Sequence, residues 1–177
     1  GSVGVSTYGI AQQIFGSAAE LPRQANPELG DFSGSVSFSE NLVNTTPQVI
    51  DAAVSVSDLD SANFDGGRVD LFYALGGEAG DQLSVRNQGT AAGLIGVSGA
   101  SVSFGGVTIG TIANGSNGGN GSNGSDLTVF LNAAATTEAV ALLAGTVVPS
   151  MNSRIVAAAP FAGTVIQVHV LPGQHVK

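Results

Sequence analysis

The chain of 177 residues contains no cysteine and no tryptophan, and it has few basic residues. Without cysteine there is no disulfide bond, no thiol catalysis and no Cys-ligated metal site. Five Lys and Arg residues against 13 Asp and Glu residues give a formal net charge of -8. This charge has the wrong sign for a phosphate backbone or an anionic bilayer, so nucleic acid is excluded as a partner.

Long hydrophobic runs are also missing. Residues 139–144 and 155–159 are the longest apolar runs, and both are far shorter than the roughly 18 residues that indicate a membrane-spanning helix. The sequence therefore predicts no membrane span.

Glycine and small aliphatic residues dominate what is present. The chain has 26 Gly residues and is 43% hydrophobic but only 6% aromatic, so Val, Ala, Leu and Ile must form the core. Because strong helix formers such as Lys and Glu are scarce, the composition favours strands and turns over solvent-facing helices. The length fits one domain, with or without a small appendage.

Breaks in the pattern divide the chain into two parts. Residues 1–34 are predicted to be an N-terminal extension or docking arm, in which residues 10–21 have apolar residues at helical spacing. Pro22, Pro27, Gly30 and Gly34 then interrupt regular structure. Residues 35–177 are predicted to be the β-sandwich domain, with residues 153–177 as closing strands or a C-terminal arm.

Several short segments alternate small polar and apolar residues, which is the period of a half-buried strand. The predicted strands lie within residues 35–39, 49–56, 68–73, 82–85, 102–104, 107–112 and 127–131. Gly105 and Gly106 lie between two of them and suit a two-residue hairpin turn, where both positions need a positive φ. Short strands separated by Gly pairs predict an antiparallel β-sandwich rather than a parallel α/β sheet.

Two segments depart from this pattern. Residues 114–125 read NGSNGGNGSNGS, a low-complexity tract that is predicted to be a flexible hairpin loop. Residues 136–145 are predicted to form a short helix, with Thr136 near its start and Gly145 at its end. Val140, Leu143 and Ala144 are expected to face the core.

Carboxylates near the start of the domain form the candidate metal site. Asp58, Asp60 and Asp65, joined by Glu40 or Asp51, could supply oxygen ligands to Ca²⁺, because residues i and i+2 of an extended segment share a side. In the alternative interpretation, Asp58 and Asp60 are solvated turn residues that make Asx-type hydrogen bonds. Both interpretations stay open at this stage.

Other polar groups predict little chemistry. His169 and His175 could bind a metal only with carboxylate help, and His169 is expected on the exposed face of a strand. Arg86, Asn87 and Gln88 suit either sugar hydroxyls or the tying of loops to backbone carbonyls.

A catalytic nucleophile is not indicated. Gly96-Val97-Ser98-Gly99 lies between predicted strands, so it does not match the strand-to-helix turn of a nucleophile elbow. Because no other poised acid, base or nucleophile is apparent, the protein is not predicted to be an enzyme.

Taken in order, several motifs in residues 35–143 resemble the cadherin-like modules of large bacterial surface and RTX-type secreted proteins. They are SFSEN (37–41), TPQVID (46–51), SDLDS (57–61), FDGG (64–67), GDQLSVRNQGT (80–90), IGVSG (95–99), FGGVTIGT (104–111) and LTV (127–129). The resemblance implies an immunoglobulin-like β-sandwich that serves as a spacer or adhesive unit outside the cell.

Residues 153–177 carry a second, partial resemblance. IVAAAP (155–160), FAGTV (161–165), VHV (168–170) and GQHVK (173–177) are similar to the first half of a biotinyl/lipoyl or membrane-fusion-adaptor hairpin. Lys177 is not in the context of a modified carrier lysine, so no carrier function is predicted.

These observations lead to one expected function and one alternative. We expect a non-catalytic structural protein, extracellular or at the bacterial cell surface, that acts in adhesion or self-assembles into fibres. Ca²⁺ is its candidate stabilising ion, and its candidate partner is another copy, joined when the apolar arm adds to a sheet edge. The alternative is a carbohydrate-binding module for surface glycans, which the absence of Trp disfavours.

Overall fold

The computed structural model describes residues 27–31, 40–75, 78–151 and 164–171, with backbone alone at 40, 41, 74, 75, 151 and 164–171. These residues form ten β-strands and two short α-helices. The elements are β1 (Glu28–Gly30), α1 (Glu40–Thr45), β2 (Ser55–Ser57), β3 (Arg68–Leu75), β4 (Asp81–Val85), β5 (Ile95–Ser98), β6 (Ser101–Phe104), β7 (Val107–Ile112), β8 (Leu127–Leu131), α2 (Thr137–Ala144), β9 (Val147–Met151) and β10 (Thr164–Leu171).

All strand pairs are antiparallel, and they form three sheets. The largest has six strands in the order β10-β3-β8-β7-β6-β5, while β1 pairs with β2 and β4 pairs with β9. The predicted mainly-β, antiparallel class with one or two short helices is therefore confirmed. β1 lies inside the predicted arm of residues 1–34, so part of that arm is paired with the domain.

The hairpin between β6 and β7 follows directly from its turn residues. Gly105 and Gly106 have φ values of 56° and 82°, and Phe104 pairs with Val107 across the turn. Residues with a Cβ rarely adopt such values at two successive positions, so the Gly pair fixes the turn and with it the register.

One hydrophobic core joins the sheets, as in a β-sandwich. In β4, buried and less buried residues alternate, and β8 is buried almost throughout because it lies between β3 and β7. The core includes Val56, Phe64, Val69, Leu71, Leu83, Ile95, Val102, Ile109, Leu127, Val129, Val140, Leu143 and Val147.

Helix α2 closes one side of this core. The Thr136 side chain accepts a hydrogen bond from the Ala139 N–H at 3.3 Å and so caps the helix. Val140, Leu143 and Ala144 are buried, which confirms both the predicted helix and its core-facing residues. Gly145 ends the helix as predicted, although its φ of -73° is right-handed rather than left-handed.

The prediction for residues 49–56 is wrong in extent, because only Ser55–Ser57 forms a strand there. The Asp51 Oδ1 accepts a hydrogen bond from the Ala53 N–H at 2.9 Å, and this local turn competes with strand pairing. Helix α1 was not predicted. Its six residues are too few for independent stability, and contact with β9 and burial of Val43 stabilise it.

Some predicted elements lie outside the described residues. They are the helix within 10–21, the strand at 35–39 and the apolar run at 155–159.

The low-complexity tract, residues 114–125 (the glycine tract below), contains no named strand or helix, as predicted, but it packs into the sheet instead of standing free. The Gly121 N–H donates to the Asp126 carbonyl at 2.7 Å, and the Thr128 N–H donates to the Gly119 carbonyl at 2.8 Å. These bonds attach the tract to the beginning of β8.

The other side of the glycine tract covers the outer edge of β4. The Leu83 N–H donates to the Gly121 carbonyl, and the Gly124 N–H donates to the Asp81 carbonyl, both at 2.7 Å. The tract thus connects β8 in the six-stranded sheet with β4 in the β4–β9 pair. Gly121 is required here because a Cβ at this position would collide with the Leu83 carbonyl oxygen.

Gly121→Ala and Gly115→Ala form a matched pair that tests this connection. Both glycines have a left-handed φ, +78° and +83°, but a Cβ at Gly115 meets nothing within 4 Å. We expect Gly115→Ala to lower the free energy of unfolding by about 1 kcal/mol through backbone strain. Gly121→Ala should lower it by about 3 kcal/mol or more, because hydrogen bonds to β4 and β8 are also lost. Equal losses in denaturant titrations would contradict the connecting role of the tract.

Candidate functional site

The candidate calcium loop begins with an Asx turn. The Asp58 Oδ1 accepts hydrogen bonds from the Asp60 N–H and the Ser61 N–H, each at 3.2 Å. Leu59 stands at the tip of this turn and is 95% exposed. One carboxylate oxygen of Asp58 is thus used to shape the loop, as in the second interpretation of the sequence.

The other oxygen of Asp58 differs from the first. Asp58 Oδ2 is buried and accepts no hydrogen bond within the part of the chain that the structure describes. Asp65 is exposed and lies in the next turn, where its N–H donates to the Asn63 Oδ1 at 3.1 Å. The Glu40 side chain lies outside the described residues.

The described residues contain no group of three or more His, Asp or Glu side chains placed to hold a metal ion. The structure therefore puts Asp58 and Asp60 in one turn, but it does not gather them with Asp65 into a ligand set. The calcium site stays a prediction.

Calcium titration can test this prediction with a conservative variant. Asp58→Asn keeps a side-chain oxygen for the Asx turn but removes the negative charge that Ca²⁺ needs. We expect isothermal titration to give a binding heat at millimolar Ca²⁺ that Asp58→Asn abolishes. Glu138→Gln, an exposed acid in the first turn of α2, should leave the heat unchanged. No heat with the unmodified protein would refute the site.

A second polar cluster surrounds Tyr73 in β3, and sequence reasoning missed it. The Tyr73 hydroxyl is buried and has no hydrogen-bond partner in the described residues. Asp81, at the start of β4, is only 4% exposed, and its Oδ2 accepts a hydrogen bond from the Glu78 N–H at 3.0 Å. Burial raises the pKa of Tyr73 strongly, and the negative charges of Asp81 and Asp126 raise it further.

The remaining acids of this cluster lie on β3 and just before β8. Asp126 is exposed, but partial loss of hydration raises the pKa of its carboxyl above the ordinary value, and the charge of Asp70 adds to that effect. Asp70 itself is well bonded, because its Oδ2 accepts from the Arg68 Nε at 2.7 Å and its Oδ1 from the Thr128 Oγ1 at 2.8 Å. Burial first, and then the charges of Asp81 and Asp126, favour the neutral phenol of Tyr73. The pairing of β3 with β8 places Asp70 opposite Thr128.

Tyr73→Phe tests the electrostatics of this cluster. Because the folded-state pKa is raised, the unfolded phenol releases its proton first above pH of about 10, so the free energy of unfolding falls as the pH rises. We expect Tyr73→Phe to remove that part of the fall and, at neutral pH, to be neutral or stabilising by up to about 1 kcal/mol, because an unpaired hydroxyl disappears.

The measurement combines denaturant titrations at neutral and alkaline pH with absorbance titration of the phenolate. Subtracting the curve of Tyr73→Phe from that of the unmodified protein isolates Tyr73, since Tyr8 is the only other tyrosine. Ionisation of Tyr73 at its ordinary pKa would contradict the effect of burial.

Polar side chains close the outer edge of β5. The Val97 N–H donates to the Asn87 Oδ1 and the Ile95 N–H donates to the Gln88 Oε1, both at 3.1 Å. The Gln88 N–H donates to the Ile95 carbonyl at 2.7 Å. The side chains of Asn87 and Gln88 were expected to tie loops to backbone carbonyls, but their amide oxygens accept from backbone N–H groups instead.

Backbone groups and a proline close the outer edge of β9. The Ile50 N–H donates to the Val147 carbonyl at 3.0 Å, and Pro149 has no N–H to offer. Proline is a common means of blocking an edge strand. The edges of β4, β5 and β9 are therefore all engaged, each by a different device.

The remaining residues considered from the sequence are Ser98, His169 and His175. Ser98 lies at the end of β5, so Gly96-Val97-Ser98 is itself part of a strand and does not lie between strands as expected. Its place at the end of a β-hairpin strand gives no nucleophile elbow. His169 is opposite Asp70 in the backbone register of β10 with β3. The His169 side chain and all of His175 lie outside the described residues.

β10 is the terminal strand of the six-stranded sheet, and among the described strands only β3 pairs with it. Its sequence, TVIQVHVL, is rich in β-branched residues. None of the helices in the described residues is long and apolar enough to cross a membrane.

Comparison with known proteins adds no assignment, because no family model, curated protein or solved structure matches the chain. The argument about function therefore rests on the geometry of this molecule.

Proposed function

We propose that this chain is a non-catalytic structural module that acts in adhesion or self-assembly at a bacterial cell surface or in the extracellular space. The closure of its sheet edges is the observation that carries the proposal. Asn87 and Gln88 block β5, the glycine tract covers β4, and Ile50 and Pro149 close β9.

An open edge offers unpaired N–H and C=O groups to any other extended chain. A module exposed to many copies of itself gains from closing such edges, because random edge pairing leads to aggregation. The net charge of -8 acts in the same direction, since like-charged copies repel each other. Together these features support a module that meets its neighbours at high local concentration.

Self-assembly requires one sheet edge that can pair with another copy, and β10 is the candidate edge. Among the described strands only β3 pairs with β10, and β1 of the same chain contacts β10 without pairing, whereas hydrogen bonds engage the edges of β4, β5 and β9. We infer that an extended apolar segment within residues 1–26 of one copy adds to β10 of the next copy. Because the arm and the edge are different surfaces, such contacts repeat head to tail and build fibres.

Ca²⁺ at the Asp58 loop is proposed as a stabilising ion of this module. The carbohydrate-binding alternative lacks a specific observation in its favour. Sugar sites commonly use exposed aromatic side chains, whereas the described Phe and Tyr side chains are buried or half-buried.

Deletion of residues 1–26 tests the assembly proposal and retains β1. We expect the full chain to form filaments in electron microscopy and the truncated chain to be monomeric by light scattering. A synthetic peptide of residues 1–26 should bind the truncated chain and cap filament growth. A monomeric full chain, or filaments that persist without residues 1–26, would contradict the proposal.

Substitutions at the closed edge supply a separate test. In the truncated chain, Asn87→Ala with Gln88→Ala frees N–H groups of β5, so we expect new self-association. Asn63→Ala is the matched control, because Asn63 also accepts a backbone hydrogen bond but is on no strand. Equal self-association of the two variants would show that the Asn87 and Gln88 amides do not prevent pairing at the edge of β5.

A further inference from the structure

The glycine tract contains four Asn-Gly pairs, which begin at Asn114, Asn117, Asn120 and Asn123. In this dipeptide the glycine nitrogen can reach the Cγ of the preceding Asn side chain, because glycine has no Cβ to hinder the approach. The four pairs have the same chemistry, so any difference in their reactivity must come from the structure around them.

The reaction is spontaneous deamidation through a cyclic imide. The glycine nitrogen loses its proton and forms a bond to Cγ, the Cγ–Nδ2 bond breaks, and ammonia leaves. Water then opens the imide at either carbonyl, giving Asp or isoaspartate. The balance is one Asn and one water to one acid and one ammonia, with no oxidant, reductant or cofactor.

Two of the four glycine nitrogens are engaged. The Gly121 N–H donates to the Asp126 carbonyl, and the Gly124 N–H donates to the Asp81 carbonyl, both at 2.7 Å. Gly121 is also buried, and a Cβ on either glycine would meet a carbonyl of the neighbouring segment. For these nitrogens to attack, the tract must first separate from β4 or β8.

Asn120 is held as well. It forms a β-bridge with Leu127, and its Oδ1 accepts hydrogen bonds from the Ser122 N–H at 3.1 Å and the Ser125 Oγ at 3.4 Å. The bridge holds the Asn120 backbone against Leu127, and the two hydrogen bonds hold its side-chain oxygen.

The first two pairs differ. Within the described part of the chain, neither the Gly115 N–H nor the Gly118 N–H donates a hydrogen bond. All four Asn residues are exposed, so exposure does not distinguish the pairs. The Asn114 Oδ1 accepts hydrogen bonds from the Ser116 N–H at 3.1 Å and the Ser116 Oγ at 2.6 Å, much as the Asn120 Oδ1 accepts from its own neighbours. The difference between the sites therefore lies in the glycine N–H groups, not in the bonds to the Asn side chains.

We propose that Asn114 and Asn117 are sites of spontaneous deamidation in the folded protein, whereas hydrogen bonding of the following glycine protects Asn120 and Asn123. Both reactive sites precede the part of the tract that bonds to β4. Reaction at both therefore leaves the connection between sheets intact and changes the formal net charge from -8 to -9 and then to -10.

The test is incubation of the purified full chain in mildly alkaline buffer, followed by isoelectric focusing and peptide mapping. Fragmentation of the tryptic peptide that runs from residue 87 to 154 locates each converted Asn. A hydrogen bond of ordinary strength corresponds to about a fivefold change in an opening equilibrium. We therefore expect Asn114 and Asn117 to react at least about fivefold faster than Asn120 and Asn123.

Two controls separate structure from local sequence. In guanidinium chloride the four rates should converge, because all four glycine nitrogens are then free. Asn114→Gln with Asn117→Gln should abolish the early acidic bands without altering the thermal unfolding midpoint. Equal rates in the folded protein, or the same ranking of rates in denaturant, would overturn the proposal.

Discussion

The fold depends on satisfying backbone groups at the edges of small sheets. In a two-stranded sheet such as β4–β9, each strand has one side without a strand partner. Buried N–H and C=O groups on that side are unfavourable unless other groups bond to them. The chain meets this constraint without adding strands. Side-chain amides engage β5, glycine backbone engages β4, and a proline removes the need for a partner in β9.

The glycine tract shows how a segment without hydrophobic side chains can still be structural. Its partners are backbone atoms of β4 and β8, and such close approach excludes a Cβ at several positions. Low complexity in the sequence therefore reflects a steric requirement at the junction of two sheets. The polar Asn and Ser side chains then bond one another, as in the bonds from the Ser116 Oγ to the Asn114 Oδ1 and from the Ser125 Oγ to the Asn120 Oδ1.

Local signals in the sequence predicted the elements that local chemistry determines. The Gly105-Gly106 turn and the Thr136 cap each act within a few residues, so the β6–β7 hairpin and α2 were found. The engagement of β5 by Asn87 and the grouping of Tyr73 with Asp81 and Asp126 depend on contacts between segments far apart in the chain. Alternation shows which residues are buried, but it does not show which strands are neighbours. Helix α1 has the same origin, because contact with β9 stabilises a six-residue segment whose sequence pattern is weak.

The same hydrogen bonds determine how the glycine tract is attached to β4 and how fast its Asn residues deamidate. An Asn-Gly pair is the simplest way to combine a left-handed backbone with close approach to a neighbouring strand, yet it brings an internal nucleophile next to an amide carbon. Where the tract supports β4, the bonds from Gly121 and Gly124 satisfy the sheet edge and occupy that nucleophile together. Earlier in the tract, the N–H groups of Gly115 and Gly118 make no such bonds within the described residues. Deamidation of Asn114 or Asn117 therefore leaves the edge of β4 covered. The need to cover the edge of β4 thus determines the shape of this tract. It also determines at which Asn residues deamidation leaves that edge covered.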